Sequence, residues 1–152
     1  MKVIGLIIMA LLGALPAAAA HASADPVFGF WLTANQHAII EIAACGEDAC
    51  GKIVWLQEPL DHDGQPKTDR NNPEEARRDQ PLCAIQLIGK FRNAGTGVWS
   101  GGSIYNPRDG QTYSASMKLR SEDRLELRGY LLLPLFGQTE AWTREAGNRG
   151  GC

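Results

Sequence analysis

Histidine is scarce in this chain, with three in 152 residues, at His21, His37 and His62. None stands four positions from another, so the His-Glu-x-x-His pair of a zinc protease helix is missing. The four cysteines include no Cys-x-x-Cys, which removes the usual paired ligands of a structural zinc. Ser100 and Ser103 flank Gly101-Gly102 without completing the Gly-x-Ser-x-Gly of a nucleophile elbow. Lys and Arg never form a run of five, and the formal charge is −2. Nothing electrostatic therefore calls for nucleic acid. Beyond the first two dozen residues no long apolar run recurs, so no further membrane-spanning helix is expected.

One motif comes close to a phosphate loop. Gly46-Glu47-Asp48-Ala49-Cys50-Gly51-Lys52 has the Gly-x-x-x-x-Gly-Lys spacing, but Ile53 follows where a magnesium-holding Ser or Thr is needed. Glu47 and Asp48 would also set two carboxylates in the anion cradle. The run reads instead as a hairpin. On its two sides "HAIIEIAAC" and "CGKIVWLQ" alternate with period two. Ile40, Ile42, Ile53 and Trp55 are expected inward. Glu41 and Lys52 are expected to pair across the strands on the wet face, beside Cys45 and Cys50.

The opening "MKVIGLIIMALLGALPAAAAHASADP" has a positive start at Lys2, an apolar core from Val3 to Leu15, and small-x-small sites ending at Ala22 and Ala24. This is the pattern of a secretory signal peptide over residues 1–24. The absence of Cys near the cleavage region argues against a lipid anchor. The 128 residues after Ala24 are enough for one domain with a core, and loss of Lys2 moves the formal charge from −2 to −3. All four cysteines lie in that part, and an even number in an exported chain favours disulfides, with three connectivities open. Cys45 and Cys50 form the best-placed pair, facing each other at the base of a tight turn. Their short loop gives about 2 kcal/mol on the chain-entropy model, and a Cys83–Cys152 bridge would give about 4 kcal/mol.

From residue 84 on, "AIQLIGKFRN", "GVWSGGSIYN", "QTYSASMKL", "RLELRGYLLL" and "GQTEAWTRE" read as successive strands joined by short connections. Glycine inside the second of these points to a bulge or bend. With Tyr113, Ala115, Met117 and Leu119 on one face, the third is half-buried. Between the two groups of strands lies "EPLDHDGQPKTDRNNPEEARRDQPL", rich in turn formers. Asn72 as N-cap, Pro73 at the first position and acids behind it predict one short helix, which Pro81 stops near Asp79. Asp69 opens that segment. A connection this long is often functional. Asp61-His62-Asp63-Gly64 resembles a calcium loop only briefly. Asn72 stands at the twelfth position, where the closing Glu belongs, so a solvated turn is the better reading.

Gly29-x-Trp31 opens the first strand, and Trp142-x-Arg144 closes the last. This pairing resembles the signature of lipocalin-like barrels, in which the indole shuts one end and the guanidinium packs across it. Such a contact is worth about 1–2 kcal/mol when partly desolvated. Gly29, Trp31, Trp142 and Arg144 are therefore the expected closure. A wider resemblance rests on "GFWLT", "CGEDACGKIVWL", "GQPKTDRNNPEEARRDQPL", "WSGGSIYNPRDGQTYSASMKL" and "LELRGYLLLPLFGQTEAWTR", in that order. Together these are similar to the bacterial secreted family catalogued as domain of unknown function 2147. The resemblance implies an exported lipocalin-like barrel with no established activity. Relatives often show Gly after the Pro-Leu of the loop, where this chain has Cys83-Ala84, which leaves the role of Cys83 open.

The expected fold is thus all-β: one antiparallel up-and-down lipocalin-like barrel of about eight strands, with a short helix in a long loop. The expected function is non-enzymatic binding of a small apolar or amphipathic ligand in the periplasm or outside the cell. The Glu58–Leu82 loop would serve as lid or rim, with Trp55, Tyr105 and Tyr113 as cavity lining. By period two, Glu140 faces the same way as Trp142 and Arg144. It is expected as an ion paired with Arg128 or Arg144, or else as a polar handle for the ligand. The second reading is a filled barrel whose Asp69–Leu82 segment docks a protein or cell-wall partner. No cofactor or metal is implied, and no integral membrane segment after removal of the leader.

Overall fold

The computed structural model describes residues 25–150 and residue 152; the expected leader and its two cleavage sites lie outside them. Eight strands follow one another: β1 Gly29–Leu32, β2 Ala38–Cys45, β3 Asp48–Leu56, β4 Gln86–Gly95, β5 Val98–Asn106, β6 Gln111–Ser121, β7 Arg124–Tyr130 and β8 Gln138–Glu145. Each pairs antiparallel with the next, and β8 returns to β1, closing the barrel. Closure leaves no unpaired sheet edge. Short turns join the strands at one end, at Gly46-Glu47, Thr96-Gly97 and Glu122-Asp123. The longer connections, 33–37, 57–85, 107–110 and 131–137, gather at the other.

The short-turn end is filled. Trp31, Ile42, Phe91, Trp99, Met117 and Leu125 are all buried in one cluster. Phe91 lies against Gly102, where a Cβ would sit 2.2 Å from the ring. The strand shifts register there, between Trp99 and Gly102, giving the bulge that the glycines of β5 foretold.

Arg144 plugs this end. Its guanidinium carbon stands 4.1 Å from the Trp31 ring centre, and it donates to the carbonyls of Pro26, Phe28 and Glu122. The Trp31 indole donates to the Val27 carbonyl at 2.8 Å. One cation thus joins the segment before β1, the β6–β7 turn and the β1–β8 seam, where Trp31 and Arg144 are direct partners. Gly29 is required for that approach: its φ is +133°, and a Cβ would lie 2.9 Å from Arg144 Nη1. Trp142 departs from the expected closure. It is buried one step further in, opposite Leu125, and belongs to the interior rather than to the plug.

Both disulfides form. Cys45–Cys50 spans 5.8 Å between Cα atoms, but it runs diagonally, because Cys45 faces Asp48 and Cys50 faces Ala43. Glu41 and Lys52 pair on the same face at 3.3 Å. Cys83–Cys152, at 5.2 Å, fastens the C-terminal tail to the end of the long loop. The neighbouring Ala84 stands at φ +70°, in the left-handed region that glycine favours. Two other expectations fail locally. The helix predicted from Asn72 is only a 3-10 turn at Glu75–Arg77, because the Asn72 side chain is taken up in a turn of its own. β7 ends at Tyr130, so Leu131–Leu133 are not strand but part of a projecting loop.

We expect Arg144→Lys to lower the free energy of unfolding by about 2–3 kcal/mol in urea titrations, since one ammonium cannot serve three carbonyls and a ring face together. Arg120→Lys, at an exposed pair with Glu126, should change it by less than about 0.5 kcal/mol.

Candidate functional site

The long connection between β3 and β4 is built around one buried carboxylate. Asp69 is wholly shielded from solvent. Its oxygens accept from the Tyr105 hydroxyl at 2.8 Å and from Asn72 Nδ2 at 2.6 Å. Asn72 Oδ1 in turn accepts from the Glu74 amide, and its carbonyl accepts from Arg78 Nε, both at 2.9 Å. These bonds explain why Asn72 and Pro73 start a turn and not a helix: the Asn side chain holds a local loop. Asn71 Nδ2 reaches the carbonyls of Pro107 and Arg108 at 3.1 and 2.9 Å. Gly110 meets the same loop so closely that a Cβ would lie 2.0 Å from the Asn71 carbonyl oxygen. Two separate sequence motifs, Asp69–Leu82 and "GGSIYNPRDGQTY", are therefore one structural unit.

A second carboxylate sets the β5–β6 turn. Asp109 accepts from the Tyr113 hydroxyl and Asn106 Nδ2, each at 2.8 Å, and from the Gln111 amide at 2.9 Å. Burial alone would raise its pKa, but these donors outweigh it and hold the carboxyl below its usual value. The same bond raises the Tyr113 phenol. Tyr105 is pushed up to about 12, by burial first and by the Asp69 carboxylate next. Both phenols are thus neutral donors in ordinary solution. Across the mouth, Arg108 Nη2 lies 2.9 Å from His37 Nδ1, and Lys67 pairs with Glu58 at 3.0 Å, which lowers the Glu58 pKa.

Between this rim and the filled end lies a cavity of about 860 Å³, within the size range of small-molecule sites. Trp142, Leu127, Ile53, Leu87 and Ile104 supply apolar wall, while His37, Lys67 and Arg108 stand among its polar lining. Tyr105, Tyr113 and Glu140 line it. Glu140 pairs with neither Arg128 nor Arg144. It accepts from the Trp142 indole at 3.1 Å, while Arg128 binds the Pro134 carbonyl and Thr139 Oγ1. The expectation of a structural ion pair at Glu140 is therefore corrected.

Trp55 is the other correction, because it does not line the cavity. Opposite Ile39 and Ile40 stand Trp55 and Ile53, so Val54 is an extra residue and the alternation flips. Trp55 then shares the outer face with Ile39, where the Arg149 guanidinium of the fastened tail lies 4.9 Å from its ring centre. Sequence reasoning also missed Gly129, Arg108 and the leucines of the β7–β8 loop as lining. The signal for the last was present: residues 129–139, "GYLLLPLFGQT", carry no charge and lose the alternation of a half-wet strand.

Elsewhere, Asp61, His62 and Asp63 bring their ligand atoms within 4.8 Å of one another. Asp61 Oδ1, however, accepts from the amides of Asp63 and Gln65, and Oδ2 binds Arg70, which is the bonding of a solvated turn. Among the described residues no helix is long and apolar enough to cross a membrane.

A closed eight-stranded up-and-down barrel, plugged at one end by Trp under Arg and hollow at the other, defines the lipocalin-like class. A solved structure described as "Protein HP1028 from the human pathogen Helicobacter pylori belongs to the lipocalin family" is similar in fold, with a TM-score of 0.67. The likeness covers 79% of this chain and 83% of that one at 23% identity. The chain itself belongs to the family described as "Uncharacterized protein conserved in bacteria (DUF2147)", whose model matches residues 29–144. No curated protein matches it.

Because folding holds the Tyr105 proton more tightly than the unfolded chain does, the stability linked to it is fully present below about pH 10. It is lost as pH rises from there through about 12. We expect Tyr105→Phe to remove this part of the alkaline loss and to delete the last-titrating tyrosine from the tyrosinate absorbance curve. An unchanged curve would contradict the assignment.

Proposed function

We propose that this barrel is a binding protein of the bacterial envelope that takes up one small apolar or amphipathic molecule through its open end. The observation that carries the reading is the cavity of about 860 Å³, walled by Trp142, Leu127, Ile53 and Ile104. An apolar wall releases ordered water when an apolar body replaces it, at roughly 25 cal/mol per Å² buried. Polar groups confined to fixed positions then orient the ligand. Tyr105, Tyr113 and Glu140 are the candidates for that role; Trp55 is not among them. The long loop acts as a rigid rim, since Asp69 and Asn71 lock it to the β5–β6 turn.

We read the protein as a binder and not a catalyst. Asp69, Asp109 and Glu140 each spend an oxygen on holding a neighbouring side chain, and the tyrosines remain protonated. Export fits two disulfides, which persist in oxidising compartments, and a leader with the charge and length of a secretory signal. The rival reading, a filled barrel acting only through its loop surface, has less support because the space beneath the rim is large.

Gly129 offers a direct test. A Cβ there meets only Tyr113 and Ile104 at 3.7 and 3.8 Å, so Gly129→Phe would project a ring into the cavity and obstruct it without disturbing the plug. Binding of an environment-sensitive apolar dye, displaced by fatty acids and phospholipids, should weaken at least on the order of tenfold. The melting temperature should shift by only about 5 °C or less. A parent protein that leaves the dye unchanged, and that carries no adduct in native mass spectra from its own envelope, would sink the proposal.

A further inference from the structure

We propose that the loop between β7 and β8 seats the open end of the barrel on a phospholipid bilayer, inserting Leu132, Leu135 and Phe136 among the acyl chains. These side chains are 90%, 80% and 78% exposed, and Leu131 and Leu133 beside them are 64% and 57% exposed. Soluble proteins seldom show so much contiguous apolar surface without a use for it. No charge interrupts the sequence from Gly129 to Thr139.

The backbone of this loop is prepared for hydrocarbon. The amides of Phe136 and Gly137 donate to the carbonyls of Leu133 and Pro134, each at 3.1 Å, and Pro134 has no N–H to satisfy. Arg128 donates twice to the Pro134 carbonyl, at 3.0 and 2.6 Å, and once to Leu135 at 3.3 Å. Unsatisfied backbone groups are the main obstacle to placing irregular chain in lipid. Here the carbonyls of Pro134 and Leu135 are served from behind, by an arginine whose charge stays at the barrel.

The chemistry favours lipid over a protein partner. A protein interface draws on Trp, Tyr and Arg anchors with a hydrogen-bonding rim. This projection offers four leucines and one phenylalanine, with no polar side chain among them. Leu131, Leu132, Leu133 and Phe136 also line the cavity mouth. The surface that would enter the bilayer is therefore continuous with the interior, and an acyl chain could move between the two without crossing water. The docking itself does not depend on what the cavity holds.

The test is flotation of the intact protein with vesicles of phosphatidylethanolamine and phosphatidylglycerol, at low and high salt. We expect co-flotation that survives high salt, because apolar insertion and not charge drives it. Leu132→Asp/Phe136→Asp should reduce the bound fraction on the order of tenfold or more. Leu60→Asp, at an exposed leucine of the other loop, should leave it unchanged. Circular dichroism should match in all three proteins, since none of these side chains packs in the core. Absence of flotation, binding abolished by salt, or equal binding by the double variant would each overturn the proposal. So would a dimer in sizing experiments that the double variant splits, which would make the patch a contact between copies. Dye binding without vesicles tests the cavity separately, so docking and pocket can fail independently.

Discussion

One guanidinium holds the first and last strands of the barrel together. Arg144 reaches from β8 to the Trp31 ring and the carbonyls of Pro26, Phe28 and Glu122. A sheet of eight strands closes only if its first and last strands find each other, and this seam, three residue pairs long, is the shortest pairing in the barrel. A cation that must be shielded and must satisfy its N–H groups can do both only with the seam shut. Everything at the open end depends on this, because a barrel fixed at one end need not be filled at the other.

The open end is organised by carboxylates. Asp69 and Asp109 each hold a tyrosine hydroxyl that would otherwise hang in the mouth. Together with Asn71 they fix the longest loop to the shortest turn of that end. The cavity therefore has a defined rim, although most of it is built from connections and not strands. The β7–β8 loop is the exception. Its leucines stand largely exposed, and its backbone is held by Arg128 and by two turn bonds of its own, so the same rim combines a fixed side with an apolar projection.

Much of this was legible in the chain itself. Period two marked β2, β3 and β6, and Tyr113, Ala115 and Met117 faced as their alternation required. Gly29 and Arg144 could be paired through the resemblance of Gly-x-Trp and Trp-x-Arg to the lipocalin-like signature, and the close approach of Nη1 shows why that glycine is needed. Trp55 could not be placed. One extra residue, Val54, reverses the facing of everything beyond it, and no glycine stands beside it to mark the bulge, as the glycines of β5 do for theirs. Asn72 misled for a related reason: a side chain that caps helices also closes turns, and only the buried Asp69 beside it decided which.

The sequence by itself determined the order of the elements, a count of about eight strands and the facing of the strands that alternate, because these follow from local patterns. The residues able to plug one end were legible through the resemblance to lipocalin-like barrels. The tertiary structure decided that Cys83 meets Cys152, that Trp142 lies inside the plug, that Glu140 serves an indole and not an arginine, and that a space remains open above them. Those outcomes depend on distances between strands far apart in the chain, which no local pattern encodes.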